Sequence, residues 1–238
     1  ESLVNDEITL ISFDEGIEEV INNIDQDSLK IHIEGLRESS RSFFLSRLIQ
    51  SLSKPVVVLT PNQNTGEKLI GDLRYFCKFN NVQKNIRFFP SWEILPYENI
   101  SPSSGVMGER LEILHLLQSN EISLLVVPVD SILQCVIPRK ELSDHTFFLG
   151  IGDTLEREFF ETCLLDNGFV RLPMVENRGH FSVRGDIVDV YPPSAMNPVR
   201  VEFFDNTIES IREFDINTQV SLKNIEKLEI LPVKELSP

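Results

Sequence analysis

The chain has 238 residues, with 22 Lys and Arg against 37 Asp and Glu, for a formal net charge of −15. That balance argues against a free-standing nucleic-acid binder, because phosphate binding needs clustered cations. No apolar run approaches the roughly 20 residues that span a bilayer. Residues 1–7 are acidic, carry no signal-peptide pattern and include no Met, which reads as a processed or excised chain. Cys77, Cys135 and Cys163 form no CxxC pair and read as buried packing residues of a protein kept in a reducing cytoplasm. His32, His115, His145 and His180 show no metal-ligand spacing and read as structural or surface residues, so no metal and no cofactor is expected.

In chain order, Lys30-Ile31-His32-Ile33-Glu34-Gly35 alternates with period two and reads as a strand with its turn. Residues 42–52 place Phe44, Leu45, Leu48, Ile49 and Leu52 on one helical face. Residues 55–60 are a β-branched run suited to a strand covered on both faces. A helix over 65–79, a strand over 86–89, a helix over 109–118, a strand over 124–127 and a short helix over 129–136 follow. Strands separated by helices predict βαβ units and a mostly parallel sheet. Then the pattern changes. A strand at 146–149 and a helix over 155–165, stopped by Asn167-Gly168, lead into consecutive strands. These lie at 170–172, 180–184, 186–191, 198–204 and 207–214, with Asp205-Asn206 as a hairpin turn. A last strand at 228–231 is placed to return to the first sheet. The expected fold is therefore α/β: a parallel-sheet domain over 1–142, an inserted smaller α+β domain over 143–222, and a return strand within 223–238. The boundary falls near 138–143.

The first strand runs into Gly35-Leu36-Arg37-Glu38-Ser39-Ser40-Arg41-Ser42 and a helix, the context of a GxxxxGK[ST] phosphate loop. Gly35 and Ser42 fit. Ser40 replaces the second Gly and Arg41 the Lys. The Gly lets the backbone wrap phosphate, and the slim ammonium reaches the β- and γ-phosphates from inside the loop. Glu38 adds an opposing charge, and the strand at 124–127 carries no Asp at its end for Mg²⁺. The pattern reads as a degenerate phosphate loop, a βα turn that kept the geometry and lost the nucleotide.

Two stretches carry a resemblance. One is Phe89-Pro90-Ser91-Trp92-Glu93-Ile94-Leu95-Pro96-Tyr97-Glu98, followed by Arg110-Leu111 at a helix. The other is Gly179-His180-Phe181-Ser182-Val183-Arg184-Gly185-Asp186-Ile187-Val188-Asp189-Val190-Tyr191-Pro192-Pro193, continuing into 198–205 and 208–219. Together they resemble the N-terminal UvrB-homology module of the bacterial transcription-repair coupling factors (Mfd), over about residues 9–236. The resemblance implies a first domain that keeps a helicase-like α/β fold but has lost ATP binding, and an inserted domain that docks the repair ATPase UvrA. It also implies further domains in the whole protein, which bind RNA polymerase and translocate on DNA. Arginines of the inserted domain contact UvrA in the related families, and Arg171 and Arg184 match best, with Arg178 a weaker match.

The residues themselves agree with docking. Residues 171–186 hold three arginines against two acids within a strongly acidic chain, and arginine is favoured at interface centres. Alternation puts Phe181 with Val183 on the inward face. Trp92 reads as the anchor of the Pro-rich loop that also carries Tyr97. Asp186 and Asp189 fall on opposite strand faces, so with Glu202 they form no catalytic cluster. The expected function is a non-catalytic adaptor that recruits UvrA, with no direct DNA or membrane contact. The alternative is a nucleotide-binding helicase-like domain related to UvrB, acting on damaged DNA. The substituted phosphate loop argues against it.

Overall fold

The computed structural model describes residues 13–23, 31–92 and 103–235. The elements are α1 (Phe13–Asn23), α2 (Ser39–Ser51), β1 (Val56–Thr60), α3 (Gln63–Phe79), β2 (Ile86–Phe88), α4 (Ser104–Gln118), β3 (Leu124–Pro128), α5 (Val129–Ile132) and α6 (Arg139–Asp144). They continue with β4 (Phe147–Gly150), α7 (Arg157–Asp166), β5 (Val170–Arg171), β6 (His180–Arg184), β7 (Ile187–Val190), β8 (Val199–Phe204), β9 (Thr207–Phe214), β10 (Ser221–Asn224) and β11 (Lys227–Ile230). The fold is mixed α/β, with parallel and antiparallel sheets. Contacts cluster the chain into two compact units. One runs to Phe88 and takes in Ile122–Val127; the other holds Phe89–Glu121 and the chain from Pro128.

The first unit is built on a three-stranded sheet, order β1-β3-β2, in which β2 and β3 run parallel. β3 is buried along its whole length, as a β-branched and leucine run in a covered central strand should be. Asn62 starts α3 by accepting the Thr65 N–H at 2.9 Å. Ile70, Leu73 and Cys77 of α3 then pack with Ile49 of α2 on Ile86, Phe88, Leu124 and Val126. Burial pushes the Cys77 thiol up from its ordinary value. The expected strand at 30–35 is corrected. Among the described residues, 31–34 pair with no strand. Ile31 and Ile33 are exposed, and His32 and Glu34 pair with each other at 3.1 Å. Alternation needs one covered face to become a strand, and here neither face is covered.

The second unit carries a six-stranded sheet, order β10-β9-β8-β7-β6-β5, antiparallel except for the β5–β6 pair. Its core is one face of that sheet (Phe181, Val188, Val190, Val199, Val201, Phe203) with Phe160 and Leu164 of α7. Phe181 is fully buried, as alternation placed it. Pairing of β8 with β9 shifts register at Glu202/Phe203. The extra residue lets Ile208 and Ile211 both reach the core, although they are three apart. Asp205-Asn206 closes the β8–β9 hairpin, with Asp205 at φ 53 as such a turn requires. Helix α7 ends in a Schellman motif at Gly168: the Gly168 N–H donates to Leu165 at 2.9 Å and the Phe169 N–H to Leu164 at 3.0 Å.

The structure departs from the sequence reading at further points. β11 pairs antiparallel with β4, in a two-stranded sheet of the second unit, not with the first sheet. The residues proposed as a domain boundary lie in α6, whose Leu142 is buried with Leu111 and Ile137. Helix α4 starts at Ser104, earlier than read, because the Ser103 hydroxyl caps the Val106 N–H at 3.3 Å. Among the cysteines, Cys77 is buried, Cys163 partly so, and Cys135 is exposed, so the packing reading fails for Cys135.

Candidate functional site

The segment expected to be a phosphate loop divides its polar side chains between its own backbone and α3. Gly35 takes φ +83, and α2 starts after Glu38 at φ 46, with no side-chain cap. The Ser40 hydroxyl accepts the Arg37 N–H at 2.7 Å and donates to the Arg37 carbonyl at 2.6 Å. The Arg41 Nε turns back to the Leu36 carbonyl at 3.2 Å. Ser42 is fully buried and donates to the Leu69 carbonyl of α3 at 3.3 Å.

The three candidate arginines stand in different surroundings. Arg171 on β5 is exposed and pairs with Glu161 of α7 at 2.7 Å. Arg184 ends β6 at the corner of a two-residue turn, Gly185-Asp186, closed by the Arg184–Ile187 pair. Its guanidinium is exposed, with a 3.4 Å contact to the Pro173 carbonyl. Arg178 is half-buried, lies 5.9 Å from the Tyr191 ring centre, and shares a cleft of about 470 Å³ with Glu109 and Glu112 of α4. Arg171 and Arg184 are joined through α7. Arg157 donates to the Gly185 carbonyl, and Glu161 meets Arg157 at 3.4 Å and Arg171 at 2.7 Å. Neither Arg157 nor Glu161 stands out in the sequence; the one available signal is their i, i+4 spacing on a helix.

The other charges of this sheet are spent on structure. Asp189 is buried and holds Arg200, directly opposite on β8, by bonds of 2.7 and 2.9 Å. That bond raises the Arg200 guanidinium above its ordinary value. Glu202 accepts from Ser210 at 2.7 Å and from Arg212. Asp186 is exposed in its turn, away from the buried Asp189, while Asp189 and Glu202 share a sheet face on which both act on Arg200. Trp92 is held by Arg110, which lies 5.2 Å from its ring centre. Tyr97 lies outside the described residues. Arg110 was quoted in the motif without a role. It is fully buried and bonds Glu235 at 2.5 Å, the Pro90 carbonyl at 2.7 Å and Gln134 at 3.1 Å, tying residues 89–92 to α4 and the C-terminal segment. Among the described residues no cluster of His, Cys, Asp and Glu is arranged to hold a metal, and no helix is long and apolar enough to cross a membrane.

Residues 147–236 match the family model of the UvrB interaction domain. That span opens on β4, runs past β11 and holds all three candidate arginines. The chain as a whole is a homologue of the transcription-repair-coupling factors, as the two motifs implied. It is 31% identical over 210 residues to that of Myxococcus xanthus, covering 87% of this chain and 18% of that protein. It is 29% identical over 228 residues to the Bacillus subtilis protein (96% and 19%) and 30% over 181 residues to the Escherichia coli protein (76% and 15%). The chain thus spans less than a fifth of the length of these curated relatives.

Proposed function

We propose that this chain is a non-catalytic docking module of a transcription-repair coupling factor, recruiting UvrA to sites of stalled transcription in the bacterial cytoplasm. The observation that carries the reading is the state of Arg171 and Arg184. Both are exposed, both belong to the span that matches the UvrB interaction domain, and both keep guanidinium surface for a partner. Arginine forks recognise carboxylates by paired hydrogen bonds, so the partner surface is acidic at this point. Arg178, half-buried beside two glutamates, contributes less. In this reading the docking domain begins near 143 and the remaining domains of the longer protein are its other partners.

The 35–42 segment is, in the same proposal, a phosphate loop that has lost its ligand. The Ser40 hydroxyl and the Arg37, Ser40 and Arg41 N–H groups bond within the segment, and the Ser39 and Ser42 hydroxyls bond Asp72 and the Leu69 carbonyl of α3. An ATP–Mg²⁺ titration that saturated in the micromolar range would revive the helicase-like alternative. The direct test is capture of purified UvrA by the immobilised chain, with and without ATP. Retention of UvrA and failure to shift short duplex DNA at physiological salt are expected. DNA shifted with a steep salt dependence and no UvrA retained would overturn the reading.

A further inference from the structure

Arg157 lies outside both sequence motifs, yet it is the hub of the surface that carries Arg171 and Arg184. It opens α7, and its side chain is 28% exposed. One terminal nitrogen donates to the Gly185 carbonyl, another pairs with Glu158, and the inner nitrogen lies 3.4 Å from Glu161. Glu161, one helical turn on, is more deeply set at 12% exposed, and its second oxygen takes the Arg171 guanidinium at 2.7 Å. A single run of charge-assisted contacts therefore links the β6–β7 turn, helix α7 and edge strand β5: Gly185 carbonyl, Arg157, Glu161, Arg171.

The ends of this run are the two arginines that face solvent. The turn between β6 and β7 has both its residues exposed, and Gly185 takes φ +59 there. A two-residue turn with no side chain packed over it is held by its closing strand pair and by whatever grips its carbonyl. Here the grip is Arg157, and the next residue back is Arg184. On the other side, β5 is two residues long and pairs with β6 alone, so Arg171 sits on a short edge strand whose further restraint is Glu161.

We propose that Arg157 is a positioning residue of the docking surface. Acting through the Gly185 carbonyl and through Glu161, it fixes the separation of Arg184 and Arg171 so that both meet carboxylates of one acidic protein surface together. Arg157 itself makes no contact with the partner in this account; its terminal nitrogens are engaged by the Gly185 carbonyl and Glu158. The benefit is preorganisation, since arginines whose backbones are already fixed give up less freedom on binding. The inference rests on the docking reading given above.

The test compares the unaltered chain with Arg157→Ala and Arg157→Lys, by amide hydrogen exchange without partner and then by UvrA capture. Arg157→Ala is expected to speed exchange at residues 185–187 about tenfold, the factor for one lost charge-assisted bond, while β8 and β9 stay protected. UvrA affinity is expected to fall by about the same factor. Lysine reaches the same carbonyl with one donor and should restore most of both losses. Unchanged exchange at the turn overturns the positioning role, and so does wild-type capture across a loosened turn. Either result leaves the docking reading intact. Exchange rising equally in β8 and β9 overturns it too, because Arg157 would then serve fold stability. An unaltered chain that captures no UvrA brings down the docking reading, and the positioning role with it.

Discussion

Around Arg110 each guanidinium nitrogen is committed within the protein. Glu235 takes two of them, Pro90 and Gln134 share the third, and the plane lies 4.3 Å from the Phe89 ring centre. At the β6–β7 hairpin the same side chain is used in the opposite way. Arg184 is exposed and makes one long contact, and Arg171 keeps 54% of its side chain exposed beside one carboxylate. The two regions show that the presence of an arginine says little, whereas an accounting of its donors separates a structural guanidinium from one available to a partner. A buried guanidinium tolerates no missing partner, because an uncompensated buried charge costs several kcal/mol. An exposed one is solvated and can wait.

The comparison breaks most readily at Arg110. Arg110→Ala leaves the Glu235 carboxylate buried without its partner, and the expected loss is about 3–5 kcal/mol of stability, read from denaturant midpoints. A loss below about 1 kcal/mol would mean the network is replaceable by water. A smaller effect is expected at the hairpin. Gly185 lies at φ +59 with open space where a Cβ would point, so Gly185→Ala meets only the backbone penalty, about 1–2 kcal/mol. Gly185→Asn should cost less, because Asn tolerates that conformation better. The smallest effect belongs to the turn after β9. The Thr218 N–H and hydroxyl, with the Asn217 N–H, hold the Asp215 carboxyl below its ordinary value. A lowered carboxyl stabilises fully above the ordinary range near pH 4 and loses that contribution as pH falls through the lowered value. Asp215→Asn should therefore be less stable than wild type at about pH 7, by a margin that shrinks as pH falls below about 4. A margin that stays constant through that fall would assign the effect to shape.

Legibility followed how local each determinant is. The Asn167-Gly168 stop, the Asp205-Asn206 turn and the buried run of β3 are written in adjacent residues, and the structure carries all three. β10 escaped because Ser221-Leu222-Lys223-Asn224 has no buried face; all four residues are exposed and only pairing with β9 makes them a strand. The segment at 31–34 shows the converse, alternation without a partner. At the candidate site, the exposed corner position of Arg184 was legible from its place before Gly185. Arg157 was not, because the carbonyl it grips is 28 residues away. Arg110 is harder still, with Glu235 lying 125 residues on.

The central claim is that Arg184 and Arg171 are docking residues and not structural ones, and one paired measurement tests it: UvrA affinity and melting temperature for Arg184→Ala and Arg171→Ala, with Lys54→Ala as the control. Truncating one side of an interfacial charge pair typically costs about 2–5 kcal/mol, roughly a 30-fold or greater loss of affinity, whereas an exposed strand substitution shifts stability by less than about 0.5 kcal/mol. The account predicts wild-type melting for all three variants, with UvrA binding sharply weakened in the two arginine variants and intact in the control. Arginine variants that melt normally and bind UvrA at wild-type strength would contradict it.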